Sequence, residues 1–79
     1  MMIKFKLNQE KFGYPVDTIT FFIKEVSGVE VKIEWKEDDE YMYTTYLKHE
    51  VIETFLDGWW LDVSDEEDVE LKKEIGLIE

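Results

Sequence analysis

The chain contains no cysteine and no arginine, one proline and one histidine, and no long apolar run. Without cysteine there can be no disulfide and no thiolate metal site, so stability has to come from packing of Trp, Phe, Tyr, Ile and Val, which suits a reducing compartment. Without arginine the chain lacks the usual reader of phosphates and base edges, and this argues against direct nucleic-acid binding. All nine cations are lysines. The longest strictly apolar segments, such as Phe21-Phe22-Ile23, fall far short of the roughly 20 residues that span a bilayer. The opening Met1-Met2-Ile3-Lys4-Phe5-Lys6-Leu7 alternates apolar and charged residues, where a signal peptide needs an apolar stretch of about 7–15 residues. The expectation is a cytoplasmic chain with no membrane partner.

What is present points to a folded protein. The 79 residues, 44% hydrophobic and 15% aromatic, are expected to form a single domain, 1–79, despite 37% charged residues. A core of that size supplies only about 3–5 kcal/mol beyond the cost of ordering the chain, and leaves little room for a buried active site. The net charge of −11 is unevenly placed. Residues 1–36 hold six Lys against five acids, and residues 37–79 hold three Lys against fifteen. A field polarised in this way repels nucleic acid and anionic membrane and steers toward a basic protein surface.

Periodicity predicts the elements. Ile3, Phe5 and Leu7 alternate with Lys4 and Lys6 and predict a first strand over 2–7. Residues 8–17, with Gly13 and Pro15, read as a loop anchored by Phe12 and Tyr14. Residues 18–25 read as a strand with Ile19, Phe21 and Ile23 on one face. Val29, Val31, Ile33 and Trp35 alternate with Glu30, Lys32, Glu34 and Lys36 as the next strand. A three-residue loop, Val26-Ser27-Gly28, sets Ile23 opposite Val31, Phe21 opposite Ile33 and Ile19 opposite Trp35. A two-residue loop would instead pair the apolar face of one strand with the charged face of the other, so the register argument selects the longer loop. Residues 37–40 connect to a strand over 41–47. Val51, Ile52, Phe55, Leu56 and Trp59 form a helical stripe, giving a helix over 48–57 that Gly58 stops. Ser64 and Glu67 have capping-box spacing and start a second helix over 65–75, with Lys72 and Lys73 at its end before Gly76.

Two chemical sites are weighed and set aside. His49-Glu50-Val51-Ile52-Glu53 has glutamate where the His-Glu-x-x-His zinc signature needs its second histidine. Residues 62–68 are rich in oxygen ligands but lack the ordered spacing and mid-loop glycine of a calcium loop. No nucleophile has a plausible base and no glycine-rich phosphate loop exists, so neither enzyme, metal nor cofactor is expected.

The acids are the better lead. Residues 57–70 join a helix stop, two adjacent tryptophans and a carboxylate cluster, and read as a contact surface presenting Asp57, Trp60, Asp62, Asp65, Glu66, Glu67, Asp68 and Glu70. Asp65, Glu66 and Glu67 fall in the predicted first helical turn, where the macrodipole alone would favour them. Glu37, Asp38, Asp39 and Glu40 have no such excuse, because four consecutive acids repel within a Debye length of about 8 Å. Carboxylates on neighbouring helix turns lie roughly 5–6 Å apart and duplex phosphates about 3.4 Å apart per strand, so an acidic surface can engage the lysines and arginines of a DNA channel. Tyr41, Tyr43, Trp59 and Trp60 are candidate rigid anchors. Adjacent side chains diverge, so one of Trp59 and Trp60 should be buried and the other at least partly exposed.

Tyr41-Met42-Tyr43 as a strand, Glu50-Val51-Ile52-Glu53-Thr54-Phe55-Leu56 as a helix ending at Gly58-Trp59, and then Asp65-Glu66-Glu67 make the second half resemble small acidic prophage-encoded anti-CRISPR proteins. These inhibit type II-A Cas9 by covering its PAM-reading surface. The resemblance implies a three-stranded antiparallel sheet with helices, no catalysis, and a guide-RNA-loaded Cas9 as partner. Glu37, Asp38, Asp39, Glu40, Asp65, Glu66 and Glu67 would be the contact acids.

The sequence thus predicts an α+β fold, an antiparallel sheet of three to four strands followed by two short helices, acting as a non-enzymatic acidic inhibitor of a nucleic-acid-binding protein. Two alternatives stay open: an immunity or antitoxin protein neutralising a basic nuclease toxin, and an assembly module of a phage or bacterial complex that uses the aromatic strand edge at 41–46. Monomer and homodimer are both allowed, and whether strand one joins the main sheet is left open.

Overall fold

A computed structural model describes residues 2–16, 18–66 and 68–79. The elements are β1 (Ile3–Leu7), α1 (Gln9–Phe12), β2 (Phe21–Ser27), β3 (Glu30–Glu37), β4 (Glu40–Leu47), α2 (Lys48–Leu56), β5 (Trp60–Asp62) and α3 (Val69–Ile75). The strands form one five-stranded sheet in the order β4-β3-β2-β1-β5, with every neighbouring pair antiparallel. The α+β class predicted from periodicity holds. The expected sheet gains a strand, and β1 joins it between β2 and β5.

The β2–β3 hairpin corrects the predicted register. Strand β2 begins at Phe21, so Ile19 has no pairing with Trp35, and Ile23 sits opposite Ile33 instead of Val31. The turn is Gly28-Val29, flanked by the pair Ser27 and Glu30. Gly28 has φ 62°, and glycine at the first position of a two-residue loop is the type II′ pattern. The objection to a two-residue loop, that it mismatches the faces, is met by a bulge. Val26 pairs with Val31, then the register shifts between Ile23 and Glu25, leaving Lys24 as the extra residue. One extra residue exchanges faces, so Ile23 returns to the apolar side. Val26 and Ile23 both stay on the core.

The acidic connector is also a tight turn. Glu37 pairs with Glu40, and Asp38 and Asp39 have φ 48° and 66°. Two consecutive left-handed residues define a type I′ turn, in which Asp is among the few tolerated residues. Local geometry therefore accounts for Asp38 and Asp39 before any partner does.

Residues 8–17 are not wholly loop, since α1 forms a turn of helix closed by Gly13 at φ 76°. Helix α2 matches its predicted span, with Asp57 as C-cap and Gly58 at φ 84° beyond it. At its start the Glu50 carboxylate accepts from the Leu47 backbone N–H at 3.0 Å. Helix α3 starts later than predicted. Asp68 is its N-cap, its Oδ1 accepting from the Leu71 N–H at 3.0 Å, so the proposed Ser64 cap is wrong. Ser64 Oγ instead accepts from the Lys4 N–H at 2.9 Å, which ties the segment after β5 to β1. Glu67, the other half of the proposed capping box, lies outside the described residues. Lys72, Lys73 and Gly76 end α3 as expected, Gly76 at φ 104° with Ile52 of α2 only 3.0 Å from where a Cβ would sit.

One face of the sheet carries the core. Ile3, Phe5, Ile23, Val31, Ile33 and Trp60 are buried beneath Val51 of α2 and Leu71 and Ile75 of α3. Phe5 is the hub, stacking on Trp60 at 4.3 Å and on Phe21 at 5.2 Å while Phe55 of α2 meets it edge-on at 5.5 Å. Truncation of a buried Phe costs about 3–5 kcal/mol, most of what a domain this small has to spare. Phe5→Ala is therefore expected to abolish the cooperative thermal transition or lower it by tens of degrees in circular dichroism. Leu61→Ala, a truncation at a side chain 46% exposed on β5, should move it by only a few degrees.

Candidate partner-binding surface

Strand alternation separates the charges onto two sides. Residues that alternate with the core positions point to the other face of the sheet, and these are Lys4 and Lys6 of β1, Phe22 of β2, Lys32, Glu34 and Lys36 of β3, and Tyr41 and Tyr43 of β4. Bulged Lys24 joins them, its Nζ 5.9 Å from the Phe22 ring and 3.9 Å from Glu34. Lys32 sits 4.9 Å over the Tyr43 ring and Lys36 5.8 Å over Tyr41. Five of the nine lysines thus share an aromatic face with Glu25, Glu30 and Glu34 as its strand acids.

Most of the acids lie elsewhere. Residues 48–79, which hold α2, β5 and α3, carry three Lys against eleven acids. On α2, Glu50, Glu53 and Asp57 are exposed at helical spacings, and on α3 Glu70 and Glu74 are exposed four residues apart. Glu50, Glu53 and Glu74 were not among the contact acids predicted from the sequence. Leu56 stands among the α2 acids with 80% of its surface exposed. The sequence stripe placed it in the core, but at 3.6 residues per turn it lies about 140° round the helix from buried Val51.

The predicted contact residues divide accordingly. Trp60 is not a surface anchor: it is 9% exposed, held between Phe5, Phe55 and Tyr46. Trp59 is the more exposed of the pair, packing edge-on against Phe12 with Lys11 over its ring. Asp68 is buried at 6% and spends its carboxylate on the α3 cap. Asp62 Oδ2 meets Lys72 Nζ at 2.7 Å while its Oδ1 accepts from the Ser64 N–H. Asp65 pairs with Lys4 at 2.9 Å and is exposed, as are Asp57, Glu66 and Glu70. Asp65 and Glu66 precede α3, so the helix dipole does not explain them. Glu37, Asp38, Asp39 and Glu40 are exposed at the β3–β4 turn, with Lys36 reaching Asp39 at 3.7 Å and Trp35 Nε1 donating to Glu37 at 3.4 Å. Tyr41 and Tyr43, 74% and 68% exposed, belong to the lysine face and not among the acids.

A cleft of about 120 Å³ lies on the core side, lined by Phe21, Trp35, Thr44, Tyr46 and Trp60. It is smaller than the roughly 300–1,000 Å³ of small-molecule sites and has the size of a single inserted side chain. Among the described residues no three His, Asp or Glu groups are arranged to hold a metal, and no helix is long and apolar enough to cross a membrane. Compared with family models, curated proteins and solved structures, the chain matches none.

Asp62 has a displaced titration. Burial pushes its carboxyl up, but hydrogen bonds from Lys72 and Ser64, together with the Lys72 charge, outweigh burial and hold it below the ordinary carboxylate range. A lowered folded-state value stabilises the fold above the unfolded carboxyl's value, near 3.9, and the benefit disappears as pH falls through the folded value. Asp62→Asn should therefore lower the melting temperature at pH 7 by several degrees, in line with about 1 kcal/mol for a partly exposed pair. The gap from wild type should close below pH 4. A constant gap down to pH 2 would show that the charge of Asp62 is not what stabilises.

Proposed function

We propose that the chain is a non-enzymatic acidic inhibitor that acts in the bacterial cytoplasm by occupying the nucleic-acid-binding surface of a basic defence nuclease. The target suggested by the resemblance of its second half is guide-RNA-loaded Cas9, at the surface that reads the PAM duplex. The observation that carries this reading is the sidedness of the charge. Lysines collect on the open sheet face, and carboxylates cover the helices and the segment between β5 and α3.

Segregation matters because a field averaged over a mixed surface steers nothing, whereas a one-signed face raises association rates and confers salt dependence. Glu53, Asp57, Glu70 and Glu74 sit on structured helices, so little side-chain or backbone ordering is needed on binding. Exposed Leu56 supplies an apolar contact among them, and such a residue ringed by charge is a common anchor geometry. The turn acids Glu37 and Glu40 extend the acidic surface at the far end of the sheet. Asp62 and Asp68 do not belong to it, since both are committed to the fold.

The test is competition binding to guide-RNA-loaded Cas9 against PAM-containing DNA. The double substitution Glu53→Lys/Asp57→Lys should weaken binding at least tenfold, a loss of about 1.4 kcal/mol, with a melting temperature within a few degrees of wild type. Wild-type affinity should fall steeply between low and moderate salt. Lys24→Glu/Lys36→Glu on the opposite face should leave binding unchanged or tighter. Binding to basic nuclease toxins with no binding to any Cas9 would replace this target with the immunity reading. Equal loss from both double substitutions would refute a one-sided acidic contact.

A further inference from the structure

The two edges of the sheet are built differently. One edge is β5, three residues long. The other is β4, eight residues long and paired one-for-one with β3 from Glu37 and Glu40 to Glu30 and Leu47, with no bulge. Proteins guard sheet edges with shortness, bulges, proline or lysine within the edge strand. Shortness guards β5. Strand β4, Glu-Tyr-Met-Tyr-Thr-Thr-Tyr-Leu, has none of these devices and a single charge, at its first residue.

We propose that β4 is a self-association edge on which two copies of the chain pair antiparallel about a two-fold axis at Tyr43. This goes beyond the inhibitor reading and can be tested on the isolated chain.

The register follows from the free hydrogen-bonding groups. A two-residue turn makes Glu37 and Glu40 a mutually bonded pair, and bonding then alternates along the ladder. The N–H and C=O groups of Tyr41, Tyr43, Thr45 and Leu47 therefore point away from β3. The Leu47 N–H is already taken by Glu50, leaving Tyr41, Tyr43 and Thr45 as the open row. A two-fold axis perpendicular to the sheet keeps corresponding faces together, so residues pair only with partners of the same parity. Centring on Tyr43 matches Tyr41 with Thr45 of the second copy, and Thr45 with its Tyr41. Every open group is then used, and the aromatic and β-branched side chains pair favourably.

The same register provides charge complementarity. It carries Asp38 and Asp39 level with Lys48 and Leu47 of the second copy, at about 3.3 Å per residue. Lys48 opens α2 beside exposed His49, and neither takes part in the ion pairs found among the described residues. The acidic turn would thus meet a lysine and the positive end of a helix, twice by symmetry. Because the axis is perpendicular to the sheet, both acidic helix layers of the dimer face the same way.

Sedimentation velocity from low micromolar to several hundred micromolar protein, at low salt, decides it. Wild type should move from its 9.5 kDa monomer mass toward twice that value. Amides of Tyr41, Tyr43 and Thr45 should gain hydrogen-exchange protection with concentration. Tyr43→Lys, on the exposed face at the axis, should weaken association at least tenfold. Lys48→Glu should do the same, and so should Asp38→Asn, which removes the opposing charge with a residue that the left-handed turn tolerates. If Tyr43→Lys does not melt cooperatively, the charge pair decides alone. A wild type that stays monomeric throughout overturns the proposal, and so does association unaffected by Lys48→Glu.

Discussion

The stack of Phe5 on Trp60, 4.3 Å between centroids, is the contact on which the other elements converge. Phe5 brings β1 against Phe21 of β2, and Trp60 brings β5 against Tyr46 of β4, while Phe55 of α2 packs edge-on to both. Aromatic rings bury more area per residue than any other side chain, and they do so at low conformational cost. A chain with few residues and 37% of them charged cannot build a thick aliphatic core, so rings carry the load. The remaining core aliphatics, Ile3, Ile23, Val31, Ile33, Val51, Leu71 and Ile75, fill the space between the cluster and the two helices.

The period-two segments were readable because each has one buried and one solvated face: Ile3, Phe5, Val31 and Ile33 fall where alternation puts them. The hairpin register was not, because a bulge at Lys24 leaves no mark in an alternating pattern. Its purpose appears only once both faces are assigned. Strand β5 was missed for a different reason. Three residues carry too little periodicity, and its ladder partner lies more than fifty positions away. The start of α3 misled because Ser64 has the right spacing for a cap but is claimed by Lys4. Long-range hydrogen bonds of that kind override local capping preference.

The surface was legible in its total charge and opaque in its layout. Composition located the acids in the second half of the chain, and the polarity along the sequence became a polarity across the molecule only through strand alternation. Tyr41 and Tyr43 look from sequence like anchors beside the acids at 37–40, yet period two sends them to the lysine side. Asp62, Asp65, Glu66, Asp68 and Glu70 look alike in a run. The fold sorts them into an ion pair, a cap and free carboxylates, and only the last can meet a partner at low desolvation cost.

The strand order also bears on how the chain is made. β2, β3 and β4 are consecutive neighbours joined by two-residue turns, so this meander can form as soon as its residues leave the ribosome. β1 emerges first, yet it gains its second neighbour only when β5 has been synthesised. Until then Phe5 has no Trp60, and the hub of the core waits with one side bare. Assembly of the sheet is therefore a late event for most of its stability, and the earliest of its five strands to be translated is the last to be fully enclosed.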